Sequence, residues 1–149
     1  MEPHLAFLPG LFHDVGRIAF LLAADDAFAA LHDHAGANAG SSRCDVERAW
    51  YGFDHAEAAA ILVEDWGLAS EQVEGIRWHH QPGQAERGRA LAAVLNVADA
   101  GAYELGCGSG GATPVDAAGC EYLGLAPEAK ARAITRARAM FAAHHDVLG

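Results

Sequence analysis

Basic residues are scarce in this 149-residue chain. Lys and Arg together number 10 against 20 Asp and Glu, which gives a formal net charge of −10. Proteins that bind the phosphate backbone of nucleic acids, or an anionic membrane surface, present a basic face. The composition therefore argues against nucleic acid and against a charged membrane surface as partners.

The sequence also lacks an apolar run long enough to cross a bilayer, which takes about 20 residues. Residues 1–24 are rich in apolar side chains, but they are interrupted by Glu2, His13, Asp14 and Arg17. No basic segment precedes them, so they do not have the pattern of a signal peptide.

Cysteine occurs only three times, as Cys44, Cys107 and Cys120. An odd number at no metal-ligand spacing indicates reduced thiols rather than a disulfide framework. With no apolar run that could span a membrane, this predicts a cytoplasmic protein.

Alternating apolar and polar residues, the pattern of a strand, are missing, and almost every apolar pattern has a helical period. Together with 52% hydrophobic residues, this predicts one all-α domain over residues 1–149, with 115–149 as a C-terminal helical extension. The predicted helices cover residues 4–23, 25–35, 43–51, 54–66, 70–81, 86–105 and 127–144, and the predicted loops cover 36–42 and 106–114. Asp54, with Glu57 three residues later, is predicted to cap the helix at 54–66, and Ser70 is predicted to cap the helix at 70–81.

The first predicted helix is apolar on most sides and is therefore expected to be buried. Pro9 must kink this helix or lie in its first turn. Gly10, His13, Asp14 and Arg17 share one face and form a polar wedge on it. A buried carboxylate such as Asp14 must be paired, hydrogen-bonded or bound to metal.

Histidine is abundant, with nine copies. His55 falls on the apolar stripe of its helix, His79 and His80 continue the apolar face of the next, and Asp99 shares an inward face of the long helix. One such residue alone is more typical of a structural role. Four helices that each send His or Asp inward favour a binding site for Fe, Mn, Ni or Zn. The remaining paired histidines are predicted to lie on the surface: His32, His34, His144 and His145.

Several motifs resemble a known family. His13 and Asp14, followed by Gly16 and Arg17, resemble the His–Asp signature of the HD superfamily of metal-dependent phosphohydrolases. The segments YGFDHAEA (51–58), WGL (66–68) and IRWHHQP (76–82) look specifically like the HDOD branch, whose members occur mainly in bacterial signalling and regulatory proteins. The resemblance covers about residues 5–105 and implies an HD-like helical bundle.

The resemblance also implies a set of functional residues. Two metals bridged by Asp14 would activate a water for attack on a phosphoester, and Arg17 would clamp the phosphate. The cofactor would be one or two divalent transition metal ions. The family's metal residues fall on His13, Asp14, His55, His79, His80 and Asp99.

The chain departs from the superfamily pattern at its start. The first metal histidine of the superfamily lies on a helix upstream of the His–Asp pair, and His4 is too near His13 to replace it. The chain therefore resembles the later part of a domain. Absent upstream helices would expose apolar surface, which favours a homo-oligomer or a protein partner.

Three interpretations of function remain open. The preferred one is an HDOD signalling or regulatory domain that keeps a metal site and binds a protein partner. The second is a metal-dependent phosphohydrolase or phosphodiesterase with a nucleotide as ligand. The third is a helical core with buried His–Asp hydrogen bonds and no metal.

Overall fold

The computed structural model describes residues 3–23, 42–107 and 117–145, and every regular element in these ranges is a helix. The all-α prediction is therefore confirmed. The predicted helix at 25–35 and most of the two predicted loops lie outside the described residues. None of the described helices combines the length and apolar character needed to cross a membrane.

The α-helices are α1 (Phe7–Phe12), α2 (Val15–Ala23), α3 (Arg43–Tyr51), α4 (His55–Asp65), α5 (Ser70–Arg77), α6 (Arg89–Glu104), α7 (Ala117–Tyr122) and α8 (Pro127–His145), with 3₁₀ turns at Pro3–Ala6 and Pro82–Gln84.

The first predicted helix is interrupted at its polar wedge. His13 and Asp14 form a turn between α1 and α2 instead of continuing one helix. The His13 imidazole Nδ1 donates to the Gly10 carbonyl over 2.8 Å, which closes the end of α1. Pro9 lies in the first turn of α1, where its missing N–H leaves no helical hydrogen bond unmade. One of the two positions predicted for Pro9 is therefore confirmed.

The core lies between α4, α5 and α6. Helix α2 packs on α4, α4 on α5, and α5 on α6. Phe12 and Val15, at the ends of α1 and α2, pack against the same cluster. The buried cluster consists of Ala59, Ala60, Val63, Val73, Ile76, Leu91 and Leu95.

The prediction that the first helical segment is buried was wrong for one face. Phe7 is 70% exposed, Leu11 63%, Ile18 56% and Leu22 81%. Helices α1 and α2 pack through the opposite side, where Pro9, Gly16 and Phe20 are buried. An all-round apolar pattern predicts burial, but it does not say which elements cover each side. We call Phe7, Leu11, Ile18 and Leu22 the apolar face.

Two helix starts were predicted, with different outcomes. Asp54 caps α4 as expected, since its Oδ1 accepts from the Glu57 backbone N–H over 2.9 Å. Ser70 was predicted to cap α5, but it is the first helical residue and Ala69 holds the cap position. The Gln72 side chain accepts from the Ala69 backbone N–H over 3.2 Å and satisfies it instead.

A carboxylate from α5 holds the start of α6. The two oxygens of Glu74 accept backbone N–H groups of Glu86, Arg87 and Gly88 over 2.8, 2.9 and 2.7 Å. Burial tends to raise the pKa of Glu74, but these three hydrogen bonds outweigh it and lower the pKa below its ordinary value of 4.5. The contact therefore satisfies the N–H group of Gly88, the N-cap residue of α6, and two further donors in the loop before it.

We expect Glu74→Ala to lower the free energy of unfolding at pH 7 by about 1–2 kcal/mol, because three backbone donors lose a charged acceptor that is only partly buried. A depressed pKa makes this contribution fully present above pH 4.5, and it is lost as pH falls through the lower pKa of the folded state. Urea unfolding of both proteins from pH 7 to pH 3 measures the difference. Glu71→Ala on the same helix is the control, since Glu71 is exposed. An equal loss in both variants, or a pH-independent difference, would contradict the assignment.

Candidate metal centre

Four side chains with metal-ligand chemistry converge from the turn before α2, the start of α4 and the turn after α5. His79 and His80 lie in that last turn, because α5 ends at Arg77 and not just before Pro82 as predicted. Donor atoms of Asp14, His55, His79 and His80 all lie within 4.8 Å of one another. The Nε2 atom of His55 is 2.9 Å from His80 Nε2 and 3.2 Å from Asp14 Oδ1. His79 Nε2 is 4.0 Å from the same Asp14 oxygen. We call these four residues the His/Asp cluster.

Hydrogen bonds on the far side of two rings fix which nitrogen faces the cluster. The Nδ1 atom of His55 lies 2.5 Å from Glu47 Oε2, and Nδ1 of His79 lies 2.7 Å from the Ile76 carbonyl oxygen. Ile76 O can only accept, so the His79 ring carries its proton on Nδ1, and the contact with Glu47 holds the His55 ring by the same atom. The Nε2 atoms therefore point into the cluster, as in metal sites where an outer acceptor orients a histidine ligand.

The inner atoms of the cluster are short of partners. The Nε2 atoms of His55 and His80 lie 2.9 Å apart and need a proton or a cation between them, because two facing lone pairs would repel each other. His79 Nε2 and Asp14 Oδ1 are buried with no hydrogen-bond partner among the described residues. Unsatisfied buried polar atoms are costly. Imidazole and carboxylate together suit a divalent transition metal, so the donor set fits such an ion.

A second group shares Asp14 with the cluster. His13, Asp14 and Asp99 also bring their donor atoms within 4.8 Å of one another. His13 Nε2 is 3.7 Å from Asp14 Oδ2 and has no hydrogen bond in the described part of the chain. The structure thus brings together all six residues predicted as metal ligands, in two groups joined by one carboxylate.

Opposite charges surround Asp14. An Arg17 guanidinium nitrogen lies 2.8 Å from Asp14 Oδ2, and another lies 3.5 Å from His55 Nε2. Burial tends to raise the pKa of Asp14, but its contacts with His55 and Arg17 outweigh burial and hold it well below its usual range. Burial tends to lower the pKa of His55, but Asp14 and Glu47 outweigh it and raise that pKa.

The other two histidines of the cluster are held neutral. Burial, helped by the charges of His13 and His55, lowers the pKa of His79 to about 3. Burial and the neighbouring His79 lower the pKa of His80 well below its usual range. Neutral imidazole is the form that binds metal, so these two rings are in their ligand form at pH 7.

Sequence analysis missed two residues that support the cluster. Glu47 is fully buried, and its Oε2 also accepts the His55 backbone N–H over 2.9 Å. Asn96 Nδ2 donates to the His79 carbonyl over 2.8 Å and fixes the backbone there. Neither residue carried a sequence signal of its own, because Glu and Asn on helices are ordinarily exposed.

The comparisons with known proteins bear on this geometry. A family model described as the HDOD domain matches residues 1–82, which is more than half of the chain. The chain belongs to the HDOD domain family. In this HDOD domain the matched segment holds every residue of the His/Asp cluster, and Asp99 lies beyond it. Comparison with curated proteins and with solved structures finds no match.

We expect Cys44 of this HDOD domain to resist thiol reagents. Its thiol is buried, and burial together with the charge of Asp54 raises its pKa to about 12, so the reactive thiolate is rare at pH 8. Labelling with a chromogenic disulfide reagent should modify the exposed Cys107 within minutes and Cys44 only after denaturant is added. Peptide mass mapping assigns the sites, and rapid labelling of Cys44 in the folded protein would contradict the packing of α3.

Proposed function

We propose that this HDOD domain is a regulatory domain that holds a divalent transition metal and acts by binding a protein partner. The observation that carries the metal site is the convergence of Asp14 Oδ1 with the Nε2 atoms of His55, His79 and His80. Two of those rings are already oriented by outer acceptors, which reduces the ordering needed when an ion binds. Iron, manganese, nickel and zinc are the candidates for such a donor set.

The apolar face supports the proposed partner. Its four large side chains lie on neighbouring helices and are each more than half exposed. Exposed apolar surface of this kind marks protein interaction sites. A signalling protein or a second copy of this chain would serve as the partner.

A metal-dependent phosphohydrolase or phosphodiesterase is the second candidate function. The observation that favours it is the sharing of Asp14 between two groups of ligand-type residues. Such sharing is how two metal ions are bridged in enzymes that cleave phosphoesters. Bound metal would supply the electrophilic charge, and Arg17, beside Asp14, would orient a phosphate of a nucleotide through its planar fork.

Metal stoichiometry tests the proposal. Protein purified without an affinity tag or chelator is analysed by plasma mass spectrometry and then titrated with Fe²⁺, Mn²⁺, Ni²⁺ and Zn²⁺. We expect one tightly bound equivalent, and a second if His13 and Asp99 also bind. Protein that contains no metal and takes none up would overturn both candidate functions.

Hydrolysis assays then separate the two functions. Metal-loaded protein is incubated with nucleotides and with a chromogenic phosphodiester. Turnover that disappears on chelation and in Arg17→Ala would establish the hydrolase. Bound metal without turnover would support the regulatory domain.

A further inference from the structure

Helix α8 is a basic element on an acidic chain, and its inner side is marked by contacts at every fourth residue. Lys130 Nζ lies 2.9 Å from Glu104 Oε1, and Arg138 donates to the Glu104 carbonyl over 3.3 Å. Between them, Ile134 lies against Gly101 of α6. Successive residues of a helix are about 100° apart, so residues two positions beyond these contacts point away from α6.

Arg132 and Arg136 occupy those outer positions of α8. Both are exposed, and neither side chain has an ion pair or a hydrogen bond in the described part of the chain. The helix holds four of the ten Lys and Arg residues of the chain, and Glu128 in its first turn is its one acidic residue. We call Arg132 and Arg136 the basic stripe.

A stripe of opposite charge lies on the outer side of α4, near its end. Ile61, Glu64 and Asp65 share one face of the helix, and we call them the acidic stripe. Ile61 is 54% exposed, and both carboxylates are exposed with no side-chain ion pair among the described residues. The last turn of α4 carries no basic residue. A helix C-terminus is negative, so two carboxylates there are unfavourable until cations approach them.

The two stripes are complementary in charge and in length. Each has its outermost residues four positions apart, which is about 6 Å along a helix axis. Arginine side chains place their charge at a carboxylate while their aliphatic stems cover apolar surface, here that of Ile61. Helix α8 packs on α6, whereas α4 packs on α2 and α5. Both stripes are therefore available on the surface of a single chain.

We propose that the basic stripe of one copy of this chain docks on the acidic stripe of a second copy, and that two-fold symmetry repeats the contact. Such a dimer joins each stripe to its complement, so every contact forms twice. A net charge of −10 disfavours nucleic acid and anionic membranes as occupants of the basic stripe. This inference goes beyond the proposed function, because it involves neither the His/Asp cluster nor the apolar face.

Sedimentation velocity with charge-reversed variants tests the dimer. At about 0.1 M salt, charges more than about 10 Å apart are screened, which weakens repulsion between two acidic chains but spares charges in contact. We expect the wild type to dimerise with increasing concentration, and about 1 M salt to weaken the dimer. The double variants Arg132→Glu with Arg136→Glu, and Glu64→Arg with Asp65→Arg, should each raise the Kd of the dimer roughly tenfold or more, because each reversal acts at two contacts.

Mixing the two double variants gives the sharpest result. One has two acidic stripes and the other two basic stripes, so each is repelled by its own copies and attracted by the other variant. We expect an equimolar mixture to form a heterodimer with about the affinity of the wild type. Circular dichroism and the Tm confirm that each variant is folded, since all four substitutions are at exposed positions.

The control variant is Glu71→Arg with Glu86→Arg, which changes the net charge as much as reversal of the acidic stripe does. Both residues are exposed outside the stripes, so this variant should dimerise as the wild type does. A wild type that stays monomeric at about 0.1 mM overturns the proposal, as does a mixture of folded double variants that forms no heterodimer. A dimer that survives both reversals but dissociates in Leu22→Asp lies on the apolar face and also overturns it. Monomeric protein that binds anionic vesicles or duplex DNA through Arg132 and Arg136 assigns the basic stripe to another partner.

Discussion

Replacing Gly16 with alanine is expected to destabilise the domain by about 3 kcal/mol, at the upper end for overpacking. A Cβ atom on Gly16 would lie 2.0 Å from the His55 carbonyl oxygen and 2.9 Å from the Ala59 backbone nitrogen. Both atoms belong to the backbone of α4, which cannot rotate away as a side chain can. Helices α2 and α4 must therefore separate.

The separation should also dismantle the metal site, because Asp14 is on the turn before α2 and His55 begins α4. For a chain of this length, the stability loss corresponds to a Tm lower by roughly 10 °C. Calorimetry measures the Tm, and plasma mass spectrometry measures retained metal. Gly10→Ala is the matched control, because its Cβ would meet only Leu95 Cδ2, at an ordinary 3.9 Å. A Gly16→Ala protein with the stability and metal content of Gly10→Ala would refute this packing.

Replacing Asp14 with alanine is expected to abolish metal binding with only a modest loss of stability. Asp14 is the only carboxylate in the His/Asp cluster and also joins the second group, so both groups lose a charged ligand. The lost ion pair with Arg17 is partly exposed, since the Asp14 side chain is 30% accessible, and such pairs contribute about 1 kcal/mol or less.

The measurement is the Tm with and without added metal, together with metal content. At a metal concentration 100-fold above Kd, binding stabilises the folded state by about 2.7 kcal/mol. We expect that rise in Tm for the wild type and none for Asp14→Ala. Asp65→Ala removes an exposed carboxylate from the end of α4 and should bind metal as the wild type does. Metal retention unchanged by Asp14→Ala would show that the site is assigned to the wrong residues.

The two variants separate folding from binding. Gly16 contributes no ligand atom, and its replacement affects the metal only through the distance between helices. Asp14 contributes a ligand atom and little packing. A loss of metal in both, with a large loss of stability in one, is the pattern that the close approach of α2 and α4 predicts.

Much of the helical architecture follows from local sequence. Helix α3 was predicted over residues 43–51 and is observed as Arg43–Tyr51. Helix α8 was predicted from Pro127 to about residue 144 and is observed as Pro127–His145. Proline at a helix start, an aspartate cap and a 3.6-residue apolar period act within a few residues of chain. They can therefore be recognised in the sequence without knowledge of tertiary contacts.

The candidate ligands could also be predicted from the sequence, but the residues that hold them in place could not. His and Asp on apolar helix faces are unusual enough to identify from periodicity, and the family motifs point to the same positions. Glu47 carries no such signal, because a glutamate on a short helix is ordinarily exposed. Its role depends on His55, eight residues away across a helix boundary.

The sequence by itself determined most of the helices and the set of residues able to bind a metal, but not the break at His13 and Asp14 or the short helix Ala117–Tyr122. The tertiary structure alone decided that α2 touches α4 through Gly16 and that Glu47 orients His55. It also left Phe7 and Leu22 exposed where an all-round apolar pattern predicted burial. The reason is physical: helix period and capping are local, whereas contacts between residues far apart in sequence depend on how whole helices pack.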